Sequence, residues 1–540
     1  MYGTWNYSVG GGKVPDLSKY SYIRGSFLTF RWSQLEPQDG KFNWTLFDSA
    51  VAKYADAGLY LQLMVWVGPD TPDWVYAKGV PKVTTNNEKN EALGRHLGWV
   101  YPYYLDEKYE VYFHRLIQEV AAHIDTLPPR SRKAIVSMQT AEGTTGDEGP
   151  YKGIVKDNKY SISDSDWLAF KQRAWELWYS QYKGKSPPIK LLINQGNDGQ
   201  YEEWLNEHMP DIWRKVGHVG HGYQLNSEQE QLALFGDKLN NPLPNGEYVR
   251  FRSEVADLDL AKWFTEAPIW NSYWLNLFNL HFGTDILQWN LISDKYEFSE
   301  AGFEFYNKYA GFKDPSKAPG AFIALRDGLD AADTWRFPED KYGQAEQRNQ
   351  ERFVNIAKDF AEFGAKQEDP KGGVGGTMAQ RRTEGMNDVG WTMVDGNYER
   401  YLTQIDPLGT SQGYWRVGPL DQPYGRFARG FDKDGGKTAM YFDLNDRFYN
   451  DATPKEGRQA TLRVVYYDKG NGKWALKFDA AGDPGKVAMT VRNTDSGRWK
   501  EQTVVVKDAK LSNGGQRGAD LTLEYISGDN TLFHMVELTR

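Results

Sequence analysis

The run Ile23-Arg24-Gly25-Ser26-Phe27-Leu28-Thr29-Phe30, the amphipathic segment Trp44–Ala57 and the run Tyr60-Leu61-Gln62-Leu63-Met64-Val65-Trp66-Val67 decide the fold. Two short β-like runs flank one helix-length segment, which is the repeat from which parallel sheets with helical crossovers are built. The same alternation continues on either side. Further strands are predicted at Thr4–Ser8, Ala134–Gln139, Lys190–Asn194, Val216–Gly220, Tyr248–Ser253 and Asp285–Trp289. Helices are predicted at Glu107–Ile124, Asp166–Tyr182, Glu202–Arg214 and Ala261–Phe278. Eight strands with intervening helices in about 300 residues fit one closed α/β barrel of the (β/α)₈ TIM kind. A doubly wound open sheet is the alternative, but no Gly-rich phosphate loop follows an early strand.

From Asp314 to Asp395 the pattern loosens. Gln344–Phe363 reads as one helix, and Lys371-Gly372-Gly373-Val374-Gly375-Gly376 as a loop. After Asn397 the chain turns to short alternating runs: Ala439–Phe442, Ala460–Tyr467, Trp474–Phe478, Ala488–Arg492, Gln502–Val506, Leu521–Tyr525 and Met535–Leu538. Turns such as Asp468-Lys469-Gly470-Asn471-Gly472 separate them, which predicts an antiparallel β-sandwich. The expected organisation is a barrel over 1–313, a mixed connecting segment packed on it over 314–395, and a sandwich over 396–540.

Composition narrows the chemistry. With 540 residues, 25% of them charged, and a net charge of −9, the chain carries no Lys/Arg block of the kind that binds nucleic acid. No apolar run reaches the ~18–20 residues of a membrane span. Cysteine is absent, so disulfides, thiolate nucleophiles and Cys-based metal sites are excluded. The eight histidines form no HExxH-like spacing, and no metal or cofactor is expected. Met1-Tyr2-Gly3-Thr4-Trp5 passes straight into a β-like run without a leader pattern. A cytoplasmic protein and a secreted or periplasmic one whose leader has been removed both fit that start. Aromatic residues reach 15%, with 20 Trp and 33 Tyr, many of them beside polar residues. Such a surface suits the flat C–H faces and hydroxyls of sugars, although aromatic-rich cores give the same composition.

Barrel enzymes carry their chemistry at the C-terminal ends of the strands. After the fourth strand the chain reads Met138-Gln139-Thr140-Ala141-Glu142-Gly143, and after the seventh Arg250-Phe251-Arg252-Ser253-Glu254-Val255. Both ends deliver a carboxylate. A pair of carboxylates about 5–5.5 Å apart is what glycosidic cleavage with retention needs, one acting as acid and the other as nucleophile. The acid must stay protonated near neutral pH, and the charge of Glu254 is the expected cause of a raised pKa at Glu142.

The segment Arg31-Trp32-Ser33-Gln34-Leu35-Glu36-Pro37-Gln38-Asp39-Gly40-Lys41-Phe42-Asn43-Trp44 resembles the second-strand signature of clan A barrel glycosidases, W-x-x-x-E-P-x-x-G-x-F-x-W. Val65-Trp66-Val67-Gly68-Pro69 with Pro72-Asp73-Trp74 is similar to the β-galactosidase, marine β-agarase and carrageenan-active branches. The resemblance covers about residues 20–310. It implies that Glu142 is the acid/base and Glu254 the nucleophile of a retaining glycoside hydrolase acting on β-linked sugars, among which agarose- or carrageenan-type galactans stand out. The clan places Asn before the acid/base to bind the sugar 2-hydroxyl, whereas this chain has Ala141. Either Gln139 or Asn194 is the expected substitute, or the substrate lacks a free hydroxyl there. The late strands resemble the jelly-roll domains appended to many glycosidases, which either bind carbohydrate or buttress the barrel.

Other strand-end residues complete the expected carbohydrate site. Arg31 offers a cation to orient the nucleophile or to form a barrel-internal ion pair. Trp66 and Trp289 offer aromatic platforms. Asn194 and Gln195 end the fifth strand, and His218 and His221 flank the sixth. Glu36 is expected to fix its loop, and Asp147 and Glu148 either line the cleft or are solvated. Two other functions remain compatible with these residues: a non-catalytic carbohydrate-binding barrel and a transglycosylase sharing the covalent intermediate.

Overall fold

The computed structural model describes residues 1–9, 11–86, 100–144, 146, 149–194, 199–216, 228–255, 267–289, 298–367, 388–391, 396–449 and 454–540. Eight parallel strands close a barrel in chain order: β1 Gly3–Val9, β2 Gly25–Arg31, β3 Tyr60–Trp66, β4 Ile135–Gln139, β5 Lys190–Ile193, β6 Trp213–Lys215, β7 Phe251–Val255 and β8 Ile286–Trp289. β8 returns to β1 through the register Asn6↔Trp289. The predicted (β/α)₈ barrel is therefore present.

Two interior layers show how the sequence fills it. Trp5, Leu192, Trp213 and Ile286 form one apolar cluster. Gly25 makes room for it, since a Cβ there would lie 2.4 Å from the Trp5 ring. Phe27, Met64, Trp66 and Ala141 form a second, with Tyr7 packed against it. The Glu107–Thr126 helix starts at Asp106, whose carboxylate accepts from the Lys108 and Tyr109 N–H groups, and the Asp164–Tyr182 helix starts at Ser163 in the same way.

The chain divides into two compact units. One comprises Met1–Gly217, Pro242–Glu254 and Ile286–Ile292, the other His218–Asn241, Val255–Asp285 and Ser293–Arg540. The second unit is built on a twelve-stranded antiparallel sheet. Its core takes Ala460, Leu462, Val464 and Tyr466 from the alternating strand Arg458–Asp468, packed with Phe533, Val536 and Leu538. The helix Pro268–Phe282 packs on this sheet through Tyr273, whose hydroxyl meets His534 Nε2 at 2.9 Å. Lys308, on the helix Glu300–Tyr309, reaches Glu537 at 2.7 Å. The antiparallel sheet draws one strand, Gly320–Ala324, from the loosely patterned stretch after the barrel.

Three elements differ from their sequence reading. The sixth strand is Trp213–Lys215 rather than Val216–Gly220, and the helix before it is Gly199–His208, ending short of Arg214. Arg214 and Lys215 look like a polar helix end but are buried in a strand, where Arg214 pairs with Glu202 at 2.9 Å. Gln344–Phe363 is not one helix: an α-helix spans Gln350–Asp359 and a short 3-10 turn follows at Ala361–Phe363.

Candidate active site

The second-strand motif works as a clamp. Glu36 is fully buried, and its carboxylate accepts from Trp32 Nε1 at 2.9 Å, from the Gly40 N–H at 2.9 Å, and from Arg115. Its backbone carbonyl accepts from Trp74 Nε1. The motif residues Trp32, Glu36 and Gly40 thus hold one another, and Glu36 fixes the loop after β2.

A polar layer crosses the barrel interior above the apolar floor. Ser137 donates to Gln62, and Gln62 donates to Gln139 Oε1 at 3.1 Å. Arg252 Nη2 donates to the same Gln139 oxygen at 2.9 Å, while Arg252 Nη1 donates to Gln288. One network therefore joins β3, β4, β7 and β8. Gln139, placed among the sugar-binding residues by its sequence position, is buried in this layer.

Glu254 sits two positions beyond Arg252 on β7, so period-two alternation gives both the same face. Its Oε2 lies 3.3 Å from Lys215 Nζ and 3.4 Å from Arg252 Nη2, and only 13% of its side chain is exposed. Arg252 is itself desolvated, which disfavours its charge, and the Glu254 carboxylate opposes that effect. Two buried cations thus flank one carboxylate at the end of β7. Lys215 escaped the sequence reading because it fell between the predicted helix Glu202–Arg214 and the predicted strand Val216–Gly220; Arg252 was visible at i, i+2 from Glu254.

Glu142, three positions beyond Gln139, is buried, and its pKa is pushed up to about 7. Burial is the first cause; Thr140, Lys171 and Trp175 favour the charged form without cancelling it. The direction matches the expectation, but the cause is desolvation rather than a neighbouring carboxylate. Its Oε1 has no hydrogen-bond partner among the described residues. Lys171 and Trp175 belong to the helix Asp164–Tyr182, so Glu142 lies on its side of β4, whereas Gln139 and Ala141 share the interior face.

Ala141 packs with Phe27, Met64 and Trp66, which leaves no polar group where the clan has Asn. Asn194 donates to the Gly146 carbonyl at 2.9 Å, tying the end of β5 to the loop after Glu142. Arg31 makes an ion pair with Asp70 at 3.5 Å. Trp66 and Trp289 are both buried. His218, His221, Gln195, Asp147 and Glu148 lie outside the described residues. Among the described residues no group of three or more His, Cys, Asp or Glu side chains could hold a metal ion, and no helix is long and apolar enough to cross a membrane.

A family described as β-galactosidase, glycoside hydrolase family 42, matches residues 21–131. Among solved structures, the catalytic domain of a β-amylase from Paenibacillus polymyxa is 10% identical, with a TM-score of 0.39, over 56% of this chain and 97% of that one. A β-galactosidase from the psychrophilic Marinomonas ef1 is 12% identical, with a TM-score of 0.34, over 53% of each chain. Xylanase 10B from Thermotoga maritima is 12% identical, with a TM-score of 0.32, over 55% of this chain and 85% of that one. No curated protein sequence matches the chain. The family match spans the Arg31–Trp44 motif and lies on strands of a closed eight-stranded parallel barrel, so the resemblance to the clan A barrel glycosidases holds.

Proposed function

We propose that the protein cleaves β-glycosidic bonds in an oligo- or polysaccharide by double displacement, with Glu254 as nucleophile and Glu142 as acid/base. The observation that carries this reading is the contrast between the two carboxylates. Glu254 is held between Lys215 and Arg252, which favours the ionised form a nucleophile needs. Glu142 is raised to about 7, which keeps a proton available near neutral pH. In the first step the Glu254 carboxylate attacks the anomeric carbon while Glu142 protonates the departing oxygen. In the second, Glu142 takes a proton from water, which attacks the same carbon and releases Glu254.

Arg31, Trp66, Asn194, His221 and Trp289 are the proposed sugar contacts, with Gln139 acting beneath them through Arg252. An agarose- or carrageenan-type galactan is the proposed substrate, on family analogy alone. The same reading takes 1–313 as the catalytic body, 314–395 as its connection and 396–540 as the appended domain. Assay of new reducing ends on agarose, carrageenans, β-1,4-galactan and xylan tests the activity. Release of none from any β-linked polysaccharide or chromogenic glycoside would favour a carbohydrate-binding barrel instead.

A second reading follows from the side of β4 on which Glu142 lies. With Lys171 and Trp175 against it, Glu142 is then a buried structural acid, and the proton donor is Asp147 or Glu148, five and six positions further along the chain.

A further inference from the structure

The second unit holds a cavity of about 320 Å³ remote in sequence from the barrel strands, lined by residues of four separate segments between Tyr414 and Leu532. That volume is within the range of small-molecule sites, roughly 300–1,000 Å³. The sheet pairing explains its floor. Tyr467 stands opposite Leu532, Leu532 opposite Gly430, and Gly430 opposite Gln412, two residues before Tyr414. Directly paired residues and i, i+2 neighbours share a face, so Tyr414, Leu532 and Tyr467 form a row on one side of the sheet. Their neighbours Phe431, Tyr466 and Phe533 fill the core on the other. Two half-buried tyrosines are thus held on the outer face, three strand spacings or about 14 Å apart across the sheet and offset by two residues along it.

The walls are polar and fixed. Gly470 N–H donates to Asp495 Oδ1 at 2.7 Å, and the Asn471 N–H donates to Asp529 Oδ2 at 3.0 Å. Asp529 returns its own N–H to Asn471 Oδ1 at 3.1 Å. Gly470 adopts φ +68°, and a Cβ there would lie 2.4 Å from Asp529, so only glycine lets these two turns close on each other. Each carboxylate spends one oxygen on a turn and keeps a second to accept from a hydroxyl. Asn530 and Lys469 add donors to the same lining.

We infer that this cavity is a second carbohydrate-binding site, separate from the barrel, that takes an uncharged saccharide segment. The tyrosine rings cover C–H faces and the clamped acids accept from hydroxyls. Two aspartates against one lysine leave the lining acidic, which disfavours sulfated or uronic sugars. The choice of a sugar as ligand rests on the glycosidase reading proposed above. Its role is to hold polymer near the barrel, so it affects binding of long chains and not bond cleavage.

The test is native affinity electrophoresis of the full chain in gels containing agarose, xylan, β-1,4-galactan or κ-carrageenan, alongside hydrolysis of a small chromogenic glycoside. A neutral polysaccharide should retard the wild type, and Tyr414→Ala or Tyr467→Ala should weaken that retardation at least fivefold with small-substrate turnover unchanged. Because Tyr467 packs on Trp499, Lys469→Ala provides an exposed variant that removes a lining donor and should weaken retardation too. Retardation that survives all three variants, absence of retardation by every neutral polysaccharide, or equal retardation by κ-carrageenan would overturn the site. Tyrosine-dependent retardation without turnover of any glycoside would leave this site standing and remove the catalytic proposal.

Discussion

Arg252 donates to Gln139 at 2.9 Å, linking β7 to β4 across the barrel interior two residues before Glu254 and three before Glu142. The bond means that Glu254 and Glu142 project from strand ends held in one frame. Replacing Arg252 by Met takes one donor from Gln139, which keeps Gln62, and one from Gln288, and removes one of the two cations beside Glu254. Arg252→Met should cost about 3 kcal/mol of stability, the scale of a broken buried charge network. It should also move the acidic limb of the kcat/KM profile to higher pH, because the ionised form of Glu254 loses support. Urea unfolding and a pH profile read both; an unmoved limb would mean that Arg252 serves the fold alone.

Lys215 makes a cleaner electrostatic probe, since its contact with Glu254 at 3.3 Å does not carry the glutamine network. Lys215→Met should keep most of the stability and reduce kcat at least tenfold at neutral pH, with the same upward shift of the acidic limb. Equal loss in Lys215→Met and Lys215→Arg would point to packing in place of charge.

Glu142 supplies a pH test of stability. Its pKa is raised in the fold, to about 7, so folding binds a proton between the ordinary carboxylate range and that value. The stability it contributes is complete below about pH 4 and is lost as pH rises through about 7. Glu142→Gln removes the titration, so the variant should gain on the wild type as pH increases. At pH 8 the gain should be on the order of 3 kcal/mol, from about 1.4 kcal/mol per pKa unit. Since burial is the main cause and Lys171 opposes it, Glu254→Gln should barely change the Glu142 titration, and Lys171→Met should raise it further. Carboxyl NMR of both variants checks the order of these effects, and a large fall in Glu254→Gln would restore the carboxylate-pair explanation.

The barrel was legible because seven of its strands are apolar runs at the expected spacing, and β6 shows why the eighth was misplaced. Trp213-Arg214-Lys215 buries two charges on opposite faces of the strand, Arg214 matched by Glu202 of the preceding helix and Lys215 by Glu254 of β7. Hydrophobic periodicity cannot see compensation of that kind. The strand-end position of both glutamates was readable, as was the role of Glu36, because the Trp-Glu-Gly spacing specifies a local clamp. The burial that raises Glu142 was not readable, since it depends on Trp175 and Lys171 from a helix that follows it in the chain. The outer-face tyrosines Tyr414 and Tyr467 come together only through two intervening strands, so no local pattern announces them.

The roles of the carboxylates are separated by chemical rescue. Glu254→Ala removes the nucleophile, so turnover of the natural substrate should vanish. Azide can then fill the vacated space, attack an activated glycoside from that face and give a glycosyl azide of inverted configuration. A donor at Glu142 makes a different forecast. Glu142→Ala should still turn over glycosides with good leaving groups, which need little protonation, and azide should intercept the covalent intermediate to give a product of retained configuration. The placement of Glu142 against the helix Asp164–Tyr182 makes a parallel variant informative. If Glu148→Ala or Asp147→Ala shows the retained azide product and Glu142→Ala does not, the donor is Asp147 or Glu148 and Glu142 is its buried support. If the two rescue products are exchanged, with inversion at Glu142→Ala and retention at Glu254→Ala, the acid and nucleophile assignments must be reversed.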